Sequence, residues 1–218
     1  MPVETLPVHR SSDGCTVAFS SSATATLGAL TPRERLDHDR LPTEARRRDW
    51  LAGRCAAKQA VAARSGVPVE DIQLEPRVGV APRCTIRTHD DDWVPLPLSI
   101  SIAHCDGVAI AAAFDPSTRA GVDIERVGGV QPHQHRYFLS QREHAVDATL
   151  LWVLKEAAWK ALGLSLGVPF TALELDFAPE TSDLRGVRVD GALMTARARV
   201  RRLGDMIAAL VEIAPEFA

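Results

Sequence analysis

The spacing of apolar residues predicts a helix over residues 150–163, with the sequence LLWVLKEAAWKALG. The apolar positions that recur at helical intervals, and would face a core, are Leu151, Trp152, Trp159 and Leu162. The segment contains good helix formers and no proline, and Gly163 is placed to end it. Lys155, Glu156 and Lys160 would lie along one side of this helix, which indicates either a solvated face or a functional site.

An internal repeat is the second feature of the pattern. The segment WLAGRCAAKQAV from Trp50 aligns without gaps on WVLKEAAWKALG from Trp152, and this alignment matches Lys58 with Lys160. The segments LTPRER and LSQREH precede the two helices and resemble each other as helix starts. A second pair of similar segments is CDGVAIAAAF and LGDMIAALVEI, and both are typical of a turn that leads into a buried strand. Each half therefore holds a helical segment followed by strands.

The order of these elements predicts an α+β fold, a pseudo-dimer of two similar α+β halves with a cleft between them. Helical and strand segments are mixed rather than strictly alternating, which argues against a doubly wound parallel sheet. A turn signal around Asp115 places the junction, so that the predicted halves are 1–117 and 118–218. Segments 74–82 and 89–98 are predicted to be loops because of their proline content and charge.

The composition is that of an ordinary globular protein of 218 residues with a net charge of −3. A slightly acidic chain is unlike a general nucleic-acid binder, and no apolar segment approaches the length that spans a membrane. The N-terminus lacks the charged and apolar regions of a secretory signal, so a cytoplasmic location is expected. The internal duplication makes a monomer the simplest expectation.

Positive charge is carried almost entirely by arginine, with 22 arginines and three lysines. The lysines are Lys58, Lys155 and Lys160, and all three lie in the two repeated helices. The lysine ammonium is a compact point charge that suits a single phosphate oxygen, whereas the arginine guanidinium is a planar fork. This placement favours a phosphate site.

The segment AGVDIERV, residues 120–127, supplies two further acids. On a strand, Asp123 and Glu125 alternate with apolar residues, so both carboxylates would emerge on one face. Taken alone, this pattern fits a solvent-facing edge as well as a site. Together with Glu156, the three carboxylates can hold a hard divalent cation, and the lack of histidine or thiolate beside them favours magnesium over zinc. The two lysines of the helix would then lie where phosphate oxygens bind, as metal-assisted phosphoryl transfer requires.

The motif GVDIE, followed about thirty residues later by WVLKEAAWKA, resembles the paired signatures of the 4′-phosphopantetheinyl transferases of the larger, surfactin-synthetase-activating type. RRRDWLAGRCAAKQAV, PLSISIAHCDGVAIAAAF and YFLSQRE resemble further segments of that family, so the resemblance extends through most of the chain. It implies transfer of the phosphopantetheine arm of coenzyme A to a serine of an apo acyl-carrier or peptidyl-carrier protein, with release of 3′,5′-ADP. The resemblance leaves open whether the carrier belongs to fatty-acid, polyketide or nonribosomal-peptide synthesis, although this subtype of helix motif favours secondary metabolism.

The resemblance also implies roles for individual residues of the C-terminal half. Asp123, Glu125 and Glu156 would bind Mg²⁺ against the diphosphate of coenzyme A. Glu156 would accept the serine proton, directly or through a water. Lys160 would contact the phosphate near the bond that breaks, and Lys155 would bind the cofactor from the same helix.

Cofactor contacts are implied in the N-terminal half as well. The residues implied to contact the cofactor are His104, Arg54, one arginine of the Arg46–Arg48 cluster, and either Arg77 or Arg83. Arg47 is taken as the candidate from the cluster. His104 matches a phosphate-contacting histidine of the family, and the arginines would meet the 3′-phosphate, the diphosphate or the adenine. The loop at Val80-Ala81-Pro82 departs from the Gly-Lys-Pro type common in the family. Lys58, the repeat mate of Lys160, is expected to be exposed.

Two other functions are compatible with parts of this pattern. An acidic pair with nearby Glu and Lys also occurs in metal-dependent nucleases, but these usually carry Glu and Lys on a strand and have a basic groove. A non-catalytic coenzyme A binding module would share the scaffold without the reaction. A nuclease would nick DNA, and a binding module would hold the cofactor and leave the carrier unmodified.

Overall fold

The computed structural model describes residues 9–10, 14–77, 79–140, 143, 147–164, 167–178 and 183–214. The chain forms two compact units, Met1–Pro116 and Ser117–Ala218. Each unit combines helices with antiparallel sheets, so the predicted α+β class is confirmed. The assignment of separate roles to the halves, and the cleft, stay predictions. No helix among the described residues is long and apolar enough to cross a membrane.

The first unit places a long helix on a small sheet. Its elements are β1 (His9–Arg10), β2 (Thr16–Ser21), α1 (Pro32–Asp39), α2 (Glu44–Ser65), β3 (Ile72–Arg77), β4 (Val80–Arg87), β5 (Trp93–Pro95), β6 (Ser99–Cys105) and β7 (Val108–Phe114). One antiparallel sheet has the order β1-β2-β7-β6, and a second has the order β3-β4-β5. Helix α2 packs on β2, β6 and β7 through small buried residues such as Ala52, Ala56 and Ala60, which let helix and sheet approach closely.

The second unit places one α-helix on a five-stranded sheet. Its elements are β8 (Arg119–Arg126), α3 (Ala148–Leu162), β9 (Leu173–Phe177), β10 (Leu184–Val189), β11 (Ala192–Leu203) and β12 (Met206–Ile213). The sheet is antiparallel and has the order β8-β12-β11-β10-β9. Leu151 and Leu154 of α3 are buried with Ile207 and Val211 of β12 in one core. The helix predicted over 150–163 is confirmed, and it begins two residues earlier.

Local chemistry sets the ends of the long helices. The side chain of Asp147 accepts a hydrogen bond from the Leu150 N–H at 2.9 Å and so starts α3. Helix α3 ends at Gly163 with a φ of 63°, and α2 ends at Gly66 with a φ of 78°. Both glycines adopt the left-handed conformation that closes a helix at little steric cost.

The two units repeat one succession of elements. In the first unit β2 pairs with the last strand, β7, and in the second unit β8 pairs with the last strand, β12. The long helix of each unit, α2 or α3, comes after that strand in the chain. A hairpin comes next, β3-β4 in the first unit and β9-β10 in the second. A pair of strands then ends each unit, β6-β7 or β11-β12.

The structure corrects the register of the internal repeat. Lys58 and Lys155 each lie eight residues before the left-handed glycine that ends their helix, and each pairs with a buried glutamate. Lys58 therefore corresponds to Lys155 and not to Lys160, because the alignment anchored on tryptophan is displaced by five residues. The expected exposure of Lys58 is also wrong, since its side chain is fully buried against Glu34.

Segments 74–82 and 89–98 are not plain loops, and this prediction is wrong. Strands β3 and β4 form a hairpin through the first segment, with a register shift between Glu75 and Arg77. Pro76 lies at that shift, where the strand pairing is interrupted and the missing N–H of proline is tolerated. Strand β5, in the second segment, forms the edge of the same sheet.

Helix α3 approaches strand β8 most closely at Gly121. A Cβ atom at this position would stand 2.1 Å from the carbonyl oxygen of Ala157 and 2.7 Å from the nitrogen of Ala161. Both are backbone atoms of the helix, so they cannot move aside as a flexible side chain would. Space, rather than backbone conformation, therefore requires glycine here.

Replacement of Gly121 by alanine is expected to destabilise the protein by about 3 kcal/mol or more, because the new methyl group forces the helix away from the strand. Urea unfolding, followed by circular dichroism, measures this loss. Gly28→Ala is the control, since a Cβ there would meet only one atom, at an ordinary 3.7 Å. Equal unfolding midpoints for the two variants would contradict the steric argument.

Candidate active site

Strand β8 and helix α3 run in opposite directions and set two rows of side chains side by side. The strand row is Gly121, Asp123 and Glu125, and the helix row, one residue per turn, is Lys160, Glu156 and Trp152. The strand row covers about 13 Å and the helix row about 12 Å, so the two rows match in length. Both acids of the strand contact α3, which confirms that they share one face.

Lys160 joins the two rows. Its Nζ donates to Asp123 Oδ1 at 2.7 Å and to the carbonyl oxygen of Val122 at 3.2 Å, and it lies 3.3 Å from Glu156 Oε2. Burial by itself lowers the pKa of Lys160, but Asp123 and Glu156 outweigh that effect and raise it. The ammonium is therefore charged at neutral pH, and the structure brings Asp123, Glu156 and Lys160 together at one place.

Asp123 is the most deeply buried residue of this group, with 3% of its surface exposed. Burial raises the pKa of Asp123 to about 7; Lys160 opposes this shift, while Glu156 and Glu125 add to it. Among the described residues, its Oδ2 has no hydrogen-bond partner. A buried carboxylate oxygen without a partner carries a desolvation penalty, so this atom marks a place for a cation or a proton.

Trp152 orients Glu125 through a contact that the sequence pattern did not predict. The indole Nε1 donates to Glu125 Oε1 at 3.3 Å. The Trp152 ring is held by Phe138 and Phe170, each with its ring centroid 5.0 Å away. The pattern of apolar residues assigned Trp152 to the core alone. Its position four residues before Glu156 was the available signal, because residues at that spacing share a helix face.

The three carboxylates fit a hard divalent cation in their chemistry, because Mg²⁺ prefers carboxylate oxygens. The partnerless Oδ2 of Asp123 favours such an ion at this place. Within the part of the chain that the structure describes, no group of three or more His, Cys, Asp or Glu side chains is arranged to hold a metal. Lys160 contacts both Asp123 and Glu156, so these two carboxylates share one positive charge, the lysine ammonium.

Lys155 does not belong to this site, which corrects the prediction that it binds the cofactor. Its side chain has no exposed surface, and its Nζ lies 2.7 Å from Glu143 Oε2. The same ammonium donates to the carbonyl oxygens of Phe138 and Phe170. Five residues turn a helix by about 140° beyond a full turn, so Lys155 and Lys160 point to different sides. The expected common face for the two lysines is therefore wrong.

The predicted cofactor arginines of the first unit differ in accessibility. Arg54 is 6% exposed; it donates to the carbonyl oxygen of Leu74 at 2.9 Å and stands 4.6 Å above the Trp50 ring. This burial and these contacts hold the guanidinium inside the unit, which corrects its assignment as a phosphate ligand. Arg47 donates to the carbonyl oxygen of Leu41 at 2.7 Å and keeps 31% of its side chain exposed.

His104 and Arg77 lie on the surface of the first unit. His104, on β6, stands beside Gly53 of α2, where a Cβ atom would be 3.6 Å from the His104 Cδ2. Arg77 ends β3 and is paired in register with Val80 of β4. The contacts of both residues with coenzyme A stay predictions.

The first unit carries different residues at the positions of the carboxylate site. Strand β2 pairs with β7 as β8 pairs with β12, and the helix register follows from the two buried lysines. The positions equivalent to Asp123, Glu125, Glu156 and Lys160 hold Ala18, Ser20, Gln59 and Ala63. The acids therefore belong to the second unit alone at these positions.

Residues 119–200 match the family model of the 4′-phosphopantetheinyl transferase superfamily, ACPS. The matched segment contains all of β8 and α3, and hence both rows of the site. This match supports the family resemblance recognised in the sequence, and it supports phosphopantetheinyl transfer as the general class of activity. No curated protein matches the chain.

Replacement of Asp123 by asparagine is expected to remove a pH-dependent part of the stability of the metal-free protein. The pKa of Asp123 is about 7 in the folded chain against an ordinary 3.8, so the folded state holds this proton to higher pH. The stability that the group contributes is therefore present below about pH 4 and lost as the pH rises toward 7.

Urea unfolding in EDTA, at several pH values from about 4 to about 8, measures this contribution. The free energy of unfolding of the wild type should fall, relative to that of Asp123→Asn, across this range. Asp190→Asn, at an exposed turn, is the control and should follow the wild-type profile. A difference between wild type and Asp123→Asn that does not change with pH would contradict the burial argument.

Proposed function

We propose that the protein transfers the 4′-phosphopantetheine arm of coenzyme A to a serine of an acyl- or peptidyl-carrier protein in a magnesium-dependent reaction. The observation that carries the proposal is the contact of Lys160 with both Asp123 and Glu156, inside the segment that matches the superfamily. Glu125 lies on the same face of β8 and contacts Trp152 of α3. The recurrence of one element order in both units supports the larger, surfactin-synthetase-activating subtype.

The site first has to neutralise the negative charge of the coenzyme A diphosphate. Asp123, Glu125 and Glu156 would hold Mg²⁺, and the bound ion would supply positive charge against the phosphate oxygens. Lys160 adds a second positive charge, since 25% of its side chain is exposed and Asp123 orients its ammonium. It would donate to an oxygen of the phosphate next to the bond that breaks.

Glu156 is the residue best placed to accept the serine proton. Its side chain is 26% exposed, whereas that of Asp123 is 5% exposed, so Glu156 can reach a substrate hydroxyl directly or through a water. The serine oxygen forms a bond to the phosphorus of the pantetheine phosphate as the proton moves to Glu156. The bond from that phosphorus to the nucleotide oxygen breaks, and 3′,5′-ADP leaves with the bonding electrons.

Contacts with the rest of coenzyme A are proposed for the first unit. His104, Arg47 and Arg77 keep exposed surface and stay in the proposal as ligands of phosphate or adenine. Arg54 and Lys155 leave it because their polar groups are buried in contacts within their own units. Carriers of polyketide or nonribosomal-peptide synthesis, a cytoplasmic location and a monomeric state complete the proposal and rest on the sequence alone.

The central test mixes the protein with coenzyme A, Mg²⁺ and an apo carrier protein, and then weighs the carrier by mass spectrometry. A mass gain of one phosphopantetheine arm supports the transferase. Nicked DNA without a mass gain would establish the nuclease instead. Binding of coenzyme A with an unmodified carrier and intact DNA would establish the binding module.

Replacement of Glu156 by glutamine is expected to lower the transfer rate at least about 100-fold, because the amide can neither accept the proton nor ligate the metal. Binding of coenzyme A, measured by calorimetry without metal, should stay close to the wild-type value. Gln59→Ala changes the equivalent position of the first unit and is the matched control. Wild-type turnover in Glu156→Gln would remove this residue from the mechanism.

Mg²⁺ at about 100 times its Kd is expected to stabilise the folded protein by about 3 kcal/mol, and EDTA should reverse the effect. Thermal unfolding with and without the ion measures the shift in Tm. Asp123→Asn should show no shift, because it loses the buried charged ligand. If Mg²⁺ leaves the wild-type Tm unchanged, the proposed metal site is wrong.

A further inference from the structure

A buried ion pair ties helix α3 to the rest of the second unit on the side away from the carboxylate site. Lys155 Nζ lies 2.7 Å from Glu143 Oε2, and both side chains have at most 1% of their surface exposed. Glu143 also accepts hydrogen bonds from the Ser140 N–H at 2.8 Å and the Leu175 N–H at 2.9 Å. The pair therefore joins helix α3 to the backbone of Ser140 and to strand β9.

The first unit contains an equivalent buried ion pair. Lys58 Nζ lies 2.9 Å from Glu34 Oε2, and both side chains have at most 1% of their surface exposed. Glu34 accepts hydrogen bonds from the Thr31 N–H and the Leu74 N–H, each at 3.0 Å. The two ion pairs thus make corresponding backbone contacts, although the first unit carries Gln59 where the second carries Glu156.

The neighbour of Lys155 in the chain is Glu156. Consecutive residues of a helix point about 100° apart, so an anchor on Lys155 fixes the rotation of α3 and with it the direction of Glu156. Gly121 fixes only how closely the helix approaches β8, because it offers no side chain that would stop the helix from turning or sliding. A ligand displaced by about 1 Å is enough to weaken a metal or catalytic site.

We propose that the Glu143–Lys155 pair is the positioning element of the carboxylate site, which sets the place of Glu156 beside Lys160 and Asp123 without touching metal or substrate. The inference rests on the proposed function of that site. It assigns the pair an effect on metal affinity that the Glu34–Lys58 pair, with the same buried chemistry, does not have.

The test compares Glu143→Gln with its matched control Glu34→Gln, using Mn²⁺ alone as the probe and its electron paramagnetic resonance signal as the readout. Both variants lose stability, because each leaves a lysine buried without its counter-charge, so binding is measured where circular dichroism shows them folded. The Mn²⁺ Kd of Glu143→Gln should rise about tenfold over wild type, and that of Glu34→Gln should stay within about twofold. The Mg²⁺ concentration for half-maximal transfer should rise in the same variant only.

Apolar double variants keep the test decisive where a single change prevents folding. Glu143→Leu with Lys155→Met, and Glu34→Leu with Lys58→Met, remove each pair without leaving an isolated charge in the interior. The same selective loss of Mn²⁺ affinity is expected for the first double variant. Equal Mn²⁺ affinity in the two matched variants, with wild-type protein that binds the ion and transfers the arm, would overturn the positioning role. Wild-type protein that does neither would instead overturn the proposed function.

Discussion

The close seating of helix α3 on strand β8 is the constraint on which the second unit depends. Gly121 presents only a hydrogen atom to the helix, so the backbone of Ala157 comes within the space that a Cβ would fill. This approach brings Lys160 Nζ to 2.7 Å from Asp123 Oδ1. A side chain at position 121 would push the helix row away from the strand row and lengthen these contacts.

The close approach of α3 to β8 also buries a carboxylate, which is electrostatically unfavourable. Asp123 is buried beside two other carboxylates, and among the described residues Lys160 supplies the positive charge that opposes theirs. The partnerless oxygen of Asp123 shows that this compensation is incomplete among the described residues. Groups held in such an unfavourable state are typical of functional sites, where a ligand relieves what the fold alone does not satisfy. The geometry therefore explains why a cation would bind here more readily than at an exposed acidic pair.

Local periodicity carried enough information to predict the helix and the shared face of Asp123 and Glu125. Both follow from spacing along one element, which a sequence displays directly. The burial of Lys155 did not follow, because its partner Glu143 lies outside the helix. Its separation from Lys160 around the helix does follow from their spacing of five residues, so that part of the error was avoidable. Arg54 was misjudged for the same reason, since its acceptor is a carbonyl oxygen of β3.

The strand pairing of the hairpin β3-β4 was the part of the fold least visible in the sequence. Pro76 and the neighbouring charges indicate a loop, and only the register shift shows how a strand accommodates the proline. The repeat was aligned in the wrong register because the alignment matched Trp50 with Trp152. These two tryptophans do not occupy equivalent positions in the two units. Glu34 and Glu143 carried the better signal, as each stands three residues after a Thr or Ser from whose backbone N–H it accepts a hydrogen bond.

Both units contain the buried Lys–Glu pair, but they carry different residues at the positions of the carboxylate site. A buried Lys–Glu pair is a poor source of net stability compared with apolar packing, so its occurrence in both units indicates that it specifies geometry. In the first unit that geometry presents Ala18 and Gln59, which carry no charge. In the second unit the same framework presents Asp123 and Glu156 at equivalent positions. The proposed reactivity therefore resides in a few side chains on the facing rows, and the ion pairs behind them can be tested separately.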